Sequence, residues 1–327
     1  MKLFLSYLRL VRPINLIIIA FTLYMVRFYF IVPALNFFSF PLQLKETVFA
    51  LFALSFVLIA AGGYIINDYY DVEIDKVNNP GRVIIGNTIS ARAAFTNYMA
   101  LSVCGLITGA WSCFKAGTPV LELLFVFYVI GLWFYSFKLK STFFWGNLLI
   151  AIFLGLVPFA SAYIELQADS SNPESPDMII SSLQSGACGI ALFAFLATLL
   201  REIVKDMEDI EGDRTTGANT MAIAWGINKT KISAQFLILF IMASLGLIQY
   251  YAWTSGWHPT AYYILIAIQI PFIIIIWLLQ KANEPRQFHW VSIGLKIVMV
   301  TGICYLFVFS YQCFAMLQFV KKLEHLL

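Results

Sequence analysis

Two acidic stretches hold the residues best suited to chemistry. The first runs Asn67, Asp68, Tyr69, Tyr70, Asp71, Val72, Glu73, Ile74, Asp75; the second runs Lys205, Asp206, Met207, Glu208, Asp209, Ile210, Glu211, Gly212, Asp213. In both, Asp recurs at i, i+3 and i+7, which is one face of a helix. Each stripe directly follows a long apolar run. Each is followed by a basic residue and glycine: Lys76, Gly81 and Arg82 in one, Arg214 and Gly217 in the other. Like charges at this spacing destabilise a helix by a few tenths of a kcal/mol per pair. Ionisable groups at a bilayer centre cost roughly 2.5–3.5 kcal/mol each. Cations must offset this. Carboxylate oxygens with no His or Cys beside them suit Mg²⁺ better than Zn²⁺. Mg²⁺ takes few carboxylates and completes its shell with water and substrate phosphates. The pattern therefore predicts Mg²⁺ ions that tie two facing carboxylate stripes to a diphosphate. Lys140, Arg82, Arg201 and Lys205 are candidate fixed cations for it. Lys138, Lys229 and Lys231 read as charges that set membrane topology or meet lipid headgroups.

The elements that must position these stripes are membrane helices. The chain has 327 residues, is 61% apolar and only 12% charged, about half the charged share of a soluble domain. Apolar runs near the length needed to cross a bilayer recur throughout. Nine spans are expected, at 12–33, 46–67, 92–114, 118–137, 143–164, 178–202, 231–253, 260–280 and 291–318. With the N-terminus inside, 16 of the 21 Lys and Arg fall on inside segments and five on outside ones, as the positive-inside rule requires. The acidic stretch 165–177, with Glu165, Asp169, Glu174 and Asp177, is expected as an outside loop. The polar loops 67–91 and 203–230 then share the cytoplasmic side, and the C-terminus lies opposite. The recurrence of one Asp spacing at 67–75 and 205–213 reads as an internal repeat of two helical halves within a single domain, 1–327. No polar stretch is long enough for a separate soluble domain. The net charge of +3 gives no reason to expect nucleic acid.

The five cysteines lie in or beside apolar runs with no C-x-x-C pair, and read as small packing residues. The three histidines, His258, His289 and His325, fit no ligand spacing.

The motifs together resemble the UbiA superfamily of intramembrane prenyltransferases. The likeness rests on "NDYYDVEID" (67–75), "NNPGR" (78–82), "YSFKLK" (135–140), "KDMEDIEGDRTTGANTMAI" (205–223) and "RPIN" (12–15). It covers essentially the whole chain. One departure is Val83, where many members have Pro. The resemblance implies an all-α bundle of nine transmembrane helices around a central cavity, with two Asp-rich cytoplasmic loops over it. It implies that Asp68, Asp71, Asp75, Asp206, Asp209 and Asp213 are the Mg²⁺–diphosphate residues. Asn67, Arg82, Lys140 and Lys205 match diphosphate-contacting positions. Tyr135 matches a tyrosine near the reacting carbon, and Asn15 a polar position of the first helix that faces the cavity.

The implied reaction is transfer of a prenyl group from a polyprenyl diphosphate to a lipophilic acceptor. Breaking the allylic C–O bond leaves a cation that water would capture, so the site must be dry; aromatic faces can stabilise such a cation. The forms of "RPIN" and both Asp motifs most resemble the geranylgeranylglycerol-phosphate geranylgeranyltransferase branch, which makes an ether at a glycerol hydroxyl. Prenylation of an aromatic quinone precursor, of 4-hydroxybenzoate or dihydroxynaphthoate type, is the alternative acceptor chemistry. Ether formation needs a base for the hydroxyl proton. Glu73 and Glu208 are possible, but their helical phase turns them partly away from the Asp stripes. A cation-coupled transporter is the rival outside enzymes. It would want carboxylates at the bilayer midplane, whereas these stripes sit at helix ends. A CDP-alcohol phosphotransferase would need D-G-x-x-A-R, which neither stripe provides.

Overall fold

The structure, a computed structural model, describes residues 2–40, 42–78, 81, 83–170 and 177–324. It is helical nearly throughout, and no strand forms among the described residues. Among them, nine helices are long and apolar enough to cross a membrane: Pro13–Phe37, Glu46–Tyr70, Ala91–Lys115, Val120–Phe137, Trp145–Gln167, Met178–Glu208, Ile227–Thr254, His258–Lys281 and Pro285–Phe319. These are called the first to ninth spans below. Local chemistry sets several of their ends. The Ser90 hydroxyl accepts from the Ala93 amide at 3.2 Å and starts the third span, which satisfies one of the amides a helix start leaves open. Gly117, at φ +70°, turns the chain between the third and fourth spans in a conformation that suits glycine.

The second and third spans pack closest where Gly105 meets Ser55. A Cβ on Gly105 would lie 3.2 Å from the Ser55 carbonyl oxygen and 2.6 Å from Ile59 Cγ1. Close backbone approach through small residues is how helices gain contact in lipid, where tails are as apolar as side chains. The fifth and sixth spans also pack along their length, and the ninth lies against the sixth and the first.

Three expectations need adjustment. The sixth span does not stop at 202 but stays helical to Glu208, so Asp206 sits on a membrane helix. The seventh begins at Ile227 rather than 231. Glu165 does not open an outer loop: it lies in the helix Trp145–Ser170 and is fully buried against Arg27. Polar residues need not end a membrane helix when a neighbouring helix offers them a partner.

The Asp motifs are helical rather than looped. The second span ends at Tyr70, Asp71 forms its C-cap, and a short helix Val72–Asn78 follows. The second motif repeats the design: the helix ends at Glu208, Asp209 breaks it, and Ile210–Thr215 follows. The two short helices pack against each other at one end of the bundle.

Candidate active site

Where the two helix–break–helix units meet, they line a polar cavity of about 600 Å³. Asp68, Asp71, Asp75, Asp206, Asp209 and Asp213 all face it, together with Asn67, Tyr135, Lys140 and Lys205. Both carboxylate stripes thus share one space. A second, apolar chamber of about 170 Å³ adjoins it. Tyr135, Asn67, Arg12, Glu202 and Lys205 line both. Asn15 lines only the apolar one, deeper in the bundle. Arg82 lies outside the described residues.

Each stripe is met by groups from other helices. Arg12 Nη2 donates to Asp68 Oδ1 at 2.6 Å. Asn67 Nδ2 donates to Asp71 Oδ2 at 2.6 Å, and Lys140 pairs with Oδ1 of the same Asp71. In the second stripe, Asn147 Nδ2 donates to Asp206 Oδ2 at 2.7 Å, and Lys205 Nζ stands 3.8 Å from Asp209. Asp75 and Asp213, on the short helices beyond the membrane spans, keep their protons up to about pH 6. Burial is the main cause, followed by the charge of Asp71 on Asp75 and of Asp209 on Asp213. Asp209 is also raised, chiefly by burial. Burial and the mutual repulsion of the carboxylates hold them above their ordinary range, and the cluster is short of the positive charge that would offset both.

That shortage is the test of fit for divalent cations. Among the described residues no three of Asp, Glu, His and Cys converge tightly enough to cage a metal alone. The stripes instead face each other across open space. This suits Mg²⁺, which takes one or two carboxylates and leaves positions for water and phosphate oxygens.

The apolar chamber is walled by rings. Phe56, Phe125, Tyr128 and Phe153 form its aromatic side. Tyr128 stacks on Phe153 at 4.6 Å between centroids, and its hydroxyl donates to the Phe153 carbonyl at 2.5 Å. The chamber meets the Asp-lined cavity at the residues that line both. Such a space takes an apolar tail and keeps water from the junction.

Arg12, Asn147, Glu202 and His289 were not singled out from the sequence as site residues. Arg12 and Asn147 reach the stripes from other helices, and His289 reaches Glu208 across a helix contact, so no local spacing points to them; Glu202 shares the sixth span with Asp206 but lies outside the repeated Asp pattern. Arg12 alone carried a hint, as the opening residue of "RPIN". Glu208 was expected to point partly away. It lines the polar cavity, and His289 Nδ1 lies 2.7 Å from its Oε1. Glu73 is instead exposed, in an ion pair with Lys76 at 2.6 Å.

Fold and site together define a polytopic helical membrane protein with a carboxylate-lined cavity set over an aromatic chamber. Residues 16–313 match the model of the UbiA prenyltransferase family, and the chain belongs to that family. It is a prenyltransferase by that membership. It is 35% identical over 273 residues to digeranylgeranylglyceryl phosphate synthase of Saccharolobus solfataricus, a match covering 80% of this chain and 84% of the relative. The enzyme of the same name from Methanosphaera stadtmanae is 32% identical over 246 residues, covering 75% and 81%. Solved structures share the fold. One, from work on digeranylgeranylglyceryl phosphate synthase in membranes, superposes with a TM-score of 0.56 at 23% identity, over 94% of this chain and 99% of that one. A UbiA homologue from Archaeoglobus fulgidus bound to GPP and Mg²⁺ gives a TM-score of 0.52 at 17% identity, over 92% and 99%.

Proposed function

We propose that this chain transfers a geranylgeranyl group from its diphosphate to the free hydroxyl of geranylgeranylglyceryl phosphate. The observation that carries the reading is its similarity, over four-fifths of its length, to a relative named for that product. The cavity geometry supports the same chemistry. The diphosphate lies between the two Asp stripes, with Lys140, Lys205 and Asn67 as its fixed polar contacts; the motif resemblance adds Arg82 to them. Asp68, Asp71, Asp75, Asp206, Asp209 and Asp213 would hold Mg²⁺, which when bound would neutralise the diphosphate and make it a better leaving group. The prenyl chain runs down into the aromatic chamber, past Tyr135 at the junction.

When the C1–O bond breaks, both electrons leave with the diphosphate. The allylic cation is left at the junction, facing rings and away from water. The glycerol hydroxyl oxygen then bonds to C1 and loses its proton. Glu208, on the polar cavity and hydrogen-bonded to His289, is the candidate base for it. The distribution of Lys and Arg supports a cytoplasmic site end, and the recurring Asp spacing supports two repeated halves.

The test is an acceptor screen with purified protein in liposomes and labelled geranylgeranyl diphosphate. Product should form with geranylgeranylglyceryl phosphate and not with 4-hydroxybenzoate or dihydroxynaphthoate. It should vanish in EDTA and return with Mg²⁺. Turnover confined to an aromatic acid would overturn the assignment of the acceptor. Uptake of donor without diphosphate release would favour a transporter.

A further inference from the structure

Two cations deeper in the bundle are left over by the diphosphate clamp. Arg201 on the sixth span and Lys296 on the ninth lie within electrostatic reach of each other. The sixth and ninth spans pack together. They run antiparallel, and pair Glu208 with His289 near the cavity mouth. Arg201 and Lys296 are each seven residues deeper on the same two helices, about 10 Å at the helical rise. The polar ladder therefore has two rungs.

The lower rung is not neutral. Arg201 Nη1 holds Glu202 Oε1 at 2.8 Å, but its Nε is buried without a hydrogen-bond partner. Lys296 Nζ donates to the Asn15 amide oxygen at 2.5 Å and pairs with no carboxylate among the described residues. An ammonium reaching for membrane headgroups would extend outward along lipid. This one turns inward to Asn15, which lines the apolar chamber with Arg201. Two positive charges thus share one carboxylate, beside an apolar space where an uncompensated ion is costly. Arg201 does not line the Asp-walled cavity that takes the diphosphate. The missing anion is therefore a second one.

We infer that Arg201 and Lys296 form the subsite for the phosphate of the acceptor lipid. The inference rests on the function proposed above and assigns the recognition of its second substrate. A phosphomonoester carries close to two negative charges near neutral pH. Arg201 offers its guanidinium from the chamber wall and Lys296 the ammonium protons that Asn15 leaves over, so both cations are met by one group. Asn15, held by Lys296, lines the chamber beside Tyr64. Anchoring the phosphate at this depth holds the neighbouring glycerol carbons beside the chamber that Tyr135 also lines. The subsite thereby separates a glycerol-phosphate lipid from a neutral alcohol of the same length.

The experiment compares Lys296→Gln and Lys296→Arg with the unmodified protein in liposomes. Two acceptors are used: geranylgeranylglyceryl phosphate and geranylgeranylglycerol, which lacks the phosphate. Lys296→Gln should raise the KM for the phosphorylated acceptor at least tenfold and leave the donor KM unchanged. Lys296→Arg should restore most of the loss. With the phosphate-free alcohol, Lys296→Gln and the unmodified protein should give the same kcat/KM. An unchanged acceptor KM overturns the subsite, and so does an equal loss on both acceptors, which marks a structural effect. If the unmodified protein ignores the phosphorylated acceptor while using another, the proposed function fails and the subsite falls with it. That result is distinct from the first two.

Discussion

Asp71 has two partners at once, the Asn67 amide on one oxygen and Lys140 on the other. It sits at the break between membrane helix and short helix, where its carboxylate projects into the cavity. Asp209 holds the matching place in the second stripe. Asp71→Asn and Asp209→Asn keep size and hydrogen bonding but remove the charge. Each is expected to cost about 3 kcal/mol of transition-state stabilisation, a loss of roughly a hundredfold or more in kcat. Thermal melts of both variants should stay close to the parent. Normal turnover in either would contradict the role given to the stripes. The raised carboxyls make a second prediction. Asp75 and Asp213 titrate near 6 in the folded, metal-free protein, against an ordinary 3.8. Between those values the folded state binds more protons than the unfolded one, so these groups cost stability as pH rises from about 4 through 6. As the proposed ligands of Mg²⁺ they would have to be ionised, so its binding would displace their protons. Its apparent affinity should fall steeply below pH 6. Calorimetry at pH 6 in buffers of different ionisation heat should show proton release on Mg²⁺ binding, and no release would refute this.

At the scale of elements, the first and fifth spans are clasped by a buried ion pair far from the site. Arg27 and Glu165 are 2% and 0% exposed. A π-helical turn, Arg27–Ile31, interrupts the first span where Arg27 points inward. The guanidinium also donates to the Leu44 carbonyl at 3.0 Å, meets the exposed Glu46 at 3.3 Å and lies 4.4 Å above the Phe49 ring. Removing one partner of a buried pair leaves an uncompensated charge, a cost of about 3–5 kcal/mol. Arg27→Met should therefore lower the melting temperature in detergent sharply. Glu165→Gln should do less harm, because Arg27 keeps Glu46. The double variant Arg27→Met with Glu165→Leu should recover most of the loss; a double variant as weak as Arg27→Met would rule out the clasp. This pair also marks what the sequence could not reveal. Arg27 reads as one more charge near a span end and Glu165 as the start of a polar loop, because their partnership spans 138 positions. The Asp stripes were legible since their spacing is local and repeats. Asn147, His289 and Lys296 were not, since each acts across a helix contact that only packing creates. Span ends were misjudged for the same reason: Asp206 and Glu208 stay helical because the ninth span and Asn147 give them partners.

On the scale of the whole molecule, nine apolar runs made the bundle legible, because a bilayer demands long runs and marks their ends with charge. What they could not convey is how the helices divide the interior into a charged upper cavity and a small ringed chamber. That division assigns the chemistry. In the proposed reaction, charge is handled above, where carboxylates and cations meet, and the prenyl chain is received below, in the chamber lined by Phe56, Phe125, Tyr128 and Phe153. Each CH₂ buried there contributes about 0.8 kcal/mol, so a longer donor gains binding only while the chamber has depth for it. Ala60 lines that chamber with a small side chain. Ala60→Phe should fill part of the space without touching either stripe. The expected result is a fall of at least tenfold in kcat/KM for geranylgeranyl diphosphate, with a much smaller fall for geranyl diphosphate, measured against the same acceptor. Selection between donors would then shift toward the shorter chain. Equal losses for both would mean that the tail lies elsewhere and that the ringed chamber serves only the junction. Unchanged values for both would mean that it receives neither.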